Sequence, residues 1–192
     1  MGRLINTTTM TVDGVTDVGD WFVAEGDHEG PETDLFRGDA ALLLGRKTYE
    51  GLAGYWPQQS GPWADLLNPL PKYVGSRSQL GDLTWNATAL EGDAIDGVRR
   101  LLAEREGDLV MSGCGEFARE LIQAGVVDEI QLWIHPRIQG PGTRPFEEAT
   151  IPVRLLEATA YDSGVVSLRY QPMTSAAADG QYDTTDNDRR SP

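Results

Sequence analysis

Glycines, hydroxyls and cations gather at three points where an apolar run ends. Leu42-Leu43-Leu44 passes into Gly45-Arg46-Lys47-Thr48-Tyr49. Tyr73-Val74 passes into Gly75-Ser76-Arg77-Ser78, and Val110-Met111 into Ser112-Gly113-Cys114-Gly115-Glu116-Phe117. The apolar runs predict buried strands, and helical patterns open after the first and third. A glycine there lets a ligand come close to the backbone. A helix starting at that point offers unpaired amides and the positive end of its dipole. This arrangement suits phosphate, and two such junctions suit the phosphates of a nucleotide cofactor. Arg46, Lys47 and Arg77 are placed to add positive charge.

Other residues suggest proton or substrate chemistry. Asp13, at the end of the first predicted strand, is a candidate for proton handling, with an Asx-turn cap before Gly14 as the structural alternative. Trp21, Phe22, Tyr49 and Trp56 are aromatic candidates for a flat substrate pocket, with Trp56, before Pro57, expected in the core. A helix N-terminus lowers a thiol pKa, which makes Cys114 either reactive or simply a small residue near phosphate. Being the single cysteine, it excludes an internal disulfide. His28 and His135 have no partners at ligand spacing, so no metal site is expected.

Several elements must position these groups. Leu4–Thr11 alternates and is β-branched, which predicts a strand. The Gly- and Asp-rich segment 12–33 is long for a connection, as lids and binding loops often are. A short helix over Glu32–Arg37, a strand over Ala40–Leu44 and a helix opening at Thr48–Leu52 follow. Pro62–Leu67 predicts another helical turn or two, and Tyr73-Val74 and Ala87–Leu90 short strands. Asp93 is placed to cap an amphipathic helix carrying Ile95, Val98, Leu101 and Leu102 on one face. Leu109–Met111 is a predicted strand, Glu116–Ala124 a helix stopped by Gly125, and Glu129–Ile134 a strand. Arg154–Tyr161 and Val165–Tyr170, around Asp162-Ser163-Gly164, predict an antiparallel hairpin. This order implies an α/β fold with a mostly parallel sheet and an antiparallel C-terminal edge. Ligands then collect at the carboxyl ends of the parallel strands, where all three glycine junctions fall.

Composition narrows the possible partners. The net charge is −14, from 16 Lys and Arg against 30 Asp and Glu. Such a surface repels nucleic acid and anionic lipid, so neither is an expected partner. No window approaches the ~20 apolar residues of a membrane span. Met1-Gly2-Arg3-Leu4-Ile5-Asn6 lacks the apolar centre of a signal peptide, which gives a cytoplasmic expectation. The 192 residues suit one domain, residues 1–173, followed by a disordered polar tail, 174–192.

The order of short boxes resembles the dihydrofolate reductase superfamily. Met10-Thr11-Val12-Asp13-Gly14 resembles its "SLDG" opening, and Gly45-Arg46-Lys47-Thr48-Tyr49 its "GR-x-T-[YW]" box. Tyr73-Val74-Gly75-Ser76-Arg77 is similar to "K-x-V-x-S-R", and Ser112-Gly113-Cys114-Gly115 with Phe117 to the glycine-rich helix start. Val127-Asp128-Glu129-Ile130, Pro136 and Gly140-Pro141-Gly142 resemble "VDE-[LI]…P-x-x-x-G-x-G". The strongest likeness is to the reductase domain of the riboflavin-biosynthesis deaminase–reductase and its small stand-alone relatives, over Leu4 to about Pro172.

The resemblance implies a dihydrofolate-reductase-like three-layer fold and an NADPH-dependent reductase acting on a C=N or C=O of a small heterocyclic substrate, as a homodimer. Gly45, Arg46, Lys47 and Thr48 would hold the pyrophosphate and adenosine phosphate. Ser76, Arg77 and Ser78 would lie near the 2′-phosphate, and Gly113, Cys114, Gly115, Glu116 and Phe117 along the pyrophosphate. Glu129 of the "VDE" box joins Asp13 as a candidate catalytic acid. Folate-reducing members carry a carboxylate on their first active-site helix, for which Asp34 or Glu32 is available. Riboflavin-pathway members resemble one another in a "V-E-G-G" stretch, and Ser112 stands where its acid faces the substrate. No deaminase zinc motif is present. With no unambiguous active-site acid, a non-catalytic NADPH-binding or interaction protein on the same scaffold is the alternative.

Overall fold

A computed structural model describes residues 2–23, 25–78, 80–146 and 150–173. The expected tail, 174–192, lies outside them. The element order is β1 (Leu4–Thr11), α1 (Glu29–Asp34), β2 (Ala41–Gly45), α2 (Arg46–Tyr55), a 3-10 turn (Trp56–Gln58), α3 (Pro62–Leu67), β3 (Lys72–Gly75), β4 (Ala87–Ala89), α4 (Ala94–Glu104), β5 (Leu109–Ser112), α5 (Glu116–Gln123), β6 (Glu129–His135), β7 (Val153–Ala160) and β8 (Val166–Pro172).

The strands form one sheet in the order β4-β3-β2-β5-β1-β6-β8-β7. Pairing is parallel from β4 through β6 and antiparallel for β6–β8 and β8–β7. Helices cover both faces, which is why β2 is apolar at successive residues. Leu43 packs with Leu4, Met111 and Leu121 on one face, whereas Leu42 and Leu44 pack with Tyr49, Leu67 and Val74 on the other. Each face encloses its own apolar core.

Helix boundaries follow local chemistry. Asp93 accepts hydrogen bonds from the amides of Ile95 and Asp96 at 3.0 and 3.1 Å, which starts α4 as expected. The first helix lies three residues earlier than the apolar pattern suggested, because the aromatic Phe36 belongs to the core after it rather than to its last turn. α2 begins at Arg46 rather than Thr48, since extended Gly45 serves as its N-cap. Lys72 is fully buried. Its ammonium donates to the carbonyls of Leu67, Asn68 and Leu70 at 2.6–2.8 Å and lies 4.1 Å from the centre of the Trp85 ring. It thereby satisfies carbonyls that the end of α3 leaves open.

Candidate functional site

Parallel pairing brings the three glycine junctions to one edge of the sheet. Gly45 lies beside Gly75 in register, and Leu43 beside Met111 on the other flank of β2. Together they enclose a cleft of about 420 Å³, lined by Gly45 to Thr48, Gly75 to Ser78, Ser112, Gly113 and Gly115 to Phe117. Of the residues assigned to cofactor from sequence, only Cys114 does not line it. Its carbonyl accepts from the Phe146 amide at 3.4 Å, and burial pushes its thiol pKa up, so it is no reactive thiolate.

Close packing explains the glycines. A methyl group at Gly75 would lie 2.6 Å from Phe117 Cε1, and one at Gly45 3.5 Å from Phe117 Cβ. The Phe117 ring thus fixes the distance between α5 and the ends of β2 and β3. Gly113 has φ +111°, a conformation open to glycine, and its missing side chain faces Thr48 Oγ1 at 3.2 Å. Asn6 pins the turn from beneath: fully buried, it donates through Nδ2 to the Gly113 carbonyl at 2.7 Å. Neither α2 nor α5 has a side-chain N-cap, each starting instead from an extended glycine. Their first amides and positive dipole ends therefore face the cleft, suited to an anion.

The arginines at the edge are already engaged. Arg46 donates through Nε to Glu50 at 2.7 Å and through Nη1 to Ser78 Oγ at 2.7 Å. Ser76 Oγ accepts from the Ser78 amide at 3.2 Å. Arg77 pairs with Glu116, and its Nη1 lies 3.7 Å from Glu120. The Arg77 hydrogen bond and charge hold the Glu116 carboxyl below its usual range, with smaller help from Arg119 and Lys47.

The remaining sequence-predicted residues scatter. Asp13 accepts from the Thr11 hydroxyl at 2.6 Å and from the Gln139 and Gly140 amides at 3.0 and 2.7 Å. These bonds, that of Thr11 foremost, push its pKa far below the usual carboxylate range, so it clasps two loops and has no proton to give. Glu129 opens β6 at the opposite end of the sheet, where Arg169 grips it at 2.6 and 3.0 Å. A parallel strand places its first residue away from the carboxyl edge, and this excludes Glu129 from the cleft. Tyr49 is buried, its hydroxyl accepting from the Thr84 amide at 2.8 Å, and does not line the cleft. Trp21 is also buried: its Nε1 donates to the Asp17 carbonyl at 2.9 Å and its ring meets His135 edge-on at 5.5 Å. Phe22 tilts over the same imidazole at 5.0 Å. Of the four substrate candidates, Ser112 alone lines the cleft.

Two groups that sequence spacing concealed come together next to this edge. His28 and His135, both fully buried, stand with ring centres 6.0 Å apart. His135 Nδ1 accepts from the Val23 amide at 3.1 Å, which assigns its proton to Nε2. Burial, reinforced by His28, pushes its pKa down to about 4 and keeps it neutral. Glu32 of α1 is buried near Thr9 of β1, and desolvation, with Glu29 adding to it and Thr9 opposing it, pushes its pKa up to about 7. Thr7 lies beside Ser112 in register. Thr9 is on the same face two residues on, about 7 Å further along the strand. Asp34 is exposed and paired with Arg37.

A larger hollow of about 600 Å³ lies at the other end of the sheet, lined by Arg3, Asp108, Glu129, Gln131 and Arg169 among others. Its arginines are paired with its acids: Arg3 with Asp108, Arg37 with Asp34, and Arg169 with Glu129 and Glu157. No glycine junction reaches it, so the cleft at the carboxyl edge is the candidate site.

Fold and cleft together define a dihydrofolate-reductase-like protein. A solved structure of a Shewanella sp. PV-4 protein assigned to riboflavin biosynthesis superposes with a TM-score of 0.69 at 16% identity, covering 90% of this chain and 99% of that one. Dihydrofolate reductase from Enterococcus faecalis, solved with NADP(H) and RAB-propyl, gives a TM-score of 0.61 at 15% identity, with 90% and 98% covered. Residues 3–167 match the model of the RibD C-terminal domain, and the chain belongs to that family. The uncharacterised protein YyaP of Bacillus subtilis is 26% identical over 179 residues, which cover 88% of this chain and 94% of YyaP. Against the RibD of Acinetobacter baumannii, with a TM-score of 0.63 at 15% identity, the match covers 90% of this chain but only 58% of that longer one.

Proposed function

We propose that the protein is an NADPH-dependent reductase of a small, heterocyclic C=N or C=O compound. One observation carries this proposal: three separate strand ends, two of them opening uncapped helices, line a single cleft with a glycine at each closest approach. The cofactor seen with the enterococcal reductase supports it. The amides opening α2 and α5 would hold the pyrophosphate, and Arg46, Ser76, Arg77 and Ser78 the adenosine phosphate. When bound, NADPH supplies hydride, while the protein supplies orientation and the proton.

Glu32 fits the proton's source. Burial holds its carboxyl pKa near neutrality beside Thr9, on the face that Ser112 and Thr7 share, and a pKa close to the working pH suits a general acid. The aromatic group of buried Trp21 and His135 with half-buried Phe22 closes that side from water. The protein works as a cytoplasmic homodimer in this proposal. β7, at the sheet edge with Leu155 and Leu156 exposed, is the face offered to a second copy.

Titration with NADPH, followed by nicotinamide fluorescence, tests the proposal. Saturation is expected on the order of tens of micromolar, within the usual range for enzyme ligands. No saturable signal there would overturn it. Glu32→Gln is expected to bind NADPH and lose turnover. A wild type that binds but oxidises NADPH with no pterin, riboflavin-pathway compound or quinone would be a binding protein instead.

A further inference from the structure

The guanidinium that the proposed cofactor site needs most is already occupied. Arg77 leaves β3 between two serines, the position from which it would meet a 2′-phosphate. Its partners are Glu116, in the first turn of α5, and Glu120, one turn further along the same helix face. Glu50 holds Arg46, the neighbouring cation, in the same way. Arg46 and Arg77, the cations paired at this corner, face three carboxylates, Glu50, Glu116 and Glu120, with Arg119 and Lys47 acting on Glu116 more weakly, on a chain that is itself strongly acidic.

That balance bears differently on the two nicotinamide dinucleotides. NADPH brings a further dianion to this corner. To bind Arg77 its 2′-phosphate must displace Glu116 and then remain beside both glutamates. NADH brings a neutral 2′-hydroxyl, which donates a hydrogen bond to a carboxylate without releasing Arg77. The pyrophosphate, common to both, goes to the amides opening α2 and α5 and is not affected by this exchange.

We propose that Glu116, aided by Glu120, tunes the cofactor selectivity of this cleft by withholding Arg77, which narrows its preference for NADPH over NADH. The inference rests on the reductase proposal and concerns its cofactor. The Arg77 pairs are well exposed, with 70% of the Arg77 and 57% of the Glu116 side-chain surface accessible. Solvent screening limits each carboxylate's effect to about two- to fivefold in affinity.

The experiment measures dissociation constants of NADPH and NADH for wild type, Glu116→Gln and Glu116→Gln/Glu120→Gln in low-salt buffer. The single substitution should tighten NADPH about two- to fivefold, and the double substitution further, with NADH changed less than twofold or weakened. Added salt should shrink the difference between variants. Substitutions that move both cofactors equally would overturn the inference and leave the reductase proposal standing. Failure of every variant to bind either cofactor would overturn both.

Discussion

Gly75→Ala tests the packing that shapes the cleft. Gly75 has no left-handed φ, so alanine suits its backbone, and the whole effect must come from the added methyl. That methyl would lie 2.6 Å from Phe117 Cε1 and 3.0 Å from Cε2, with Cζ nearer still. Carbon–carbon contact is optimal at 3.5–4.0 Å, so α5 or the end of β3 must retreat by about 1 Å. Overpacking of this kind costs about 1–3 kcal/mol. Urea denaturation of Gly75→Ala should show that loss, with NADPH affinity falling alongside it as the Gly115 amide moves away from Gly45. Phe117→Leu alone should cost about 1 kcal/mol, since the ring is only partly buried. It also removes the atoms that collide, so the double variant should recover about 1–2 kcal/mol relative to the sum of the single losses. If Gly75→Ala stays within 0.5 kcal/mol of wild type, or the two losses simply add, the explanation of this glycine is wrong.

Three further predictions follow from individual residues. The Glu32 carboxyl, raised from 4.5 to about 7, favours the protonated form when folded, so its stabilising contribution is complete below pH 4.5 and is lost as pH rises through 7. The loss is roughly 3 kcal/mol, and Glu32→Gln should flatten that part of the stability profile in denaturation curves at pH 4 to 8. Asn6→Ala should cost about 1–3 kcal/mol by leaving the Gly113 carbonyl unpaired, and should weaken cofactor binding without any contact to the ligand; unchanged affinity in calorimetry would disprove the pinning role. Arg169→Leu strands the buried Glu129 carboxylate and should destabilise by about 3–5 kcal/mol, yet leave the NADPH dissociation constant within twofold, because the pair lies at the far end of the sheet. A large change in affinity would return Glu129 to the site.

Local chemistry made much of this architecture legible. β1 is bounded at Leu4 and Thr11 as its β-branched alternation implies, and Asp93 starts α4 as its position before an apolar stripe implies. The three glycine junctions met because parallel strands share one carboxyl edge. The same rule, applied to Glu129 at the start of a strand, would have sent it to the other end; the family box outweighed the strand direction. Trp21 and Tyr49 are large aromatic residues that the apolar cores claim, and composition does not separate such residues from pocket walls. Glu32 was one of two loose candidates, and only α1 packing against Thr9 distinguishes it from exposed Asp34. The approach of His28 to His135 spans more than a hundred residues of chain, beyond the reach of any spacing rule.

β1 precedes the other strands of this sheet along the chain and lies in its interior, between β5 and β6. Its nearer neighbour in sequence, β5, follows it by about a hundred residues: Asn6 reaches Met111 across a separation of 105. Until β5 and β6 emerge, the initial segment has no ladder to join, and Asn6 has no carbonyl to hold. Nascent chains truncated before β5 should therefore stay protease-sensitive along β1. Closure over such long loops also places this protein among the slower folders of its size. The cofactor cradle is thus completed late, assembled from the outside inward around the earliest of the sheet's strands.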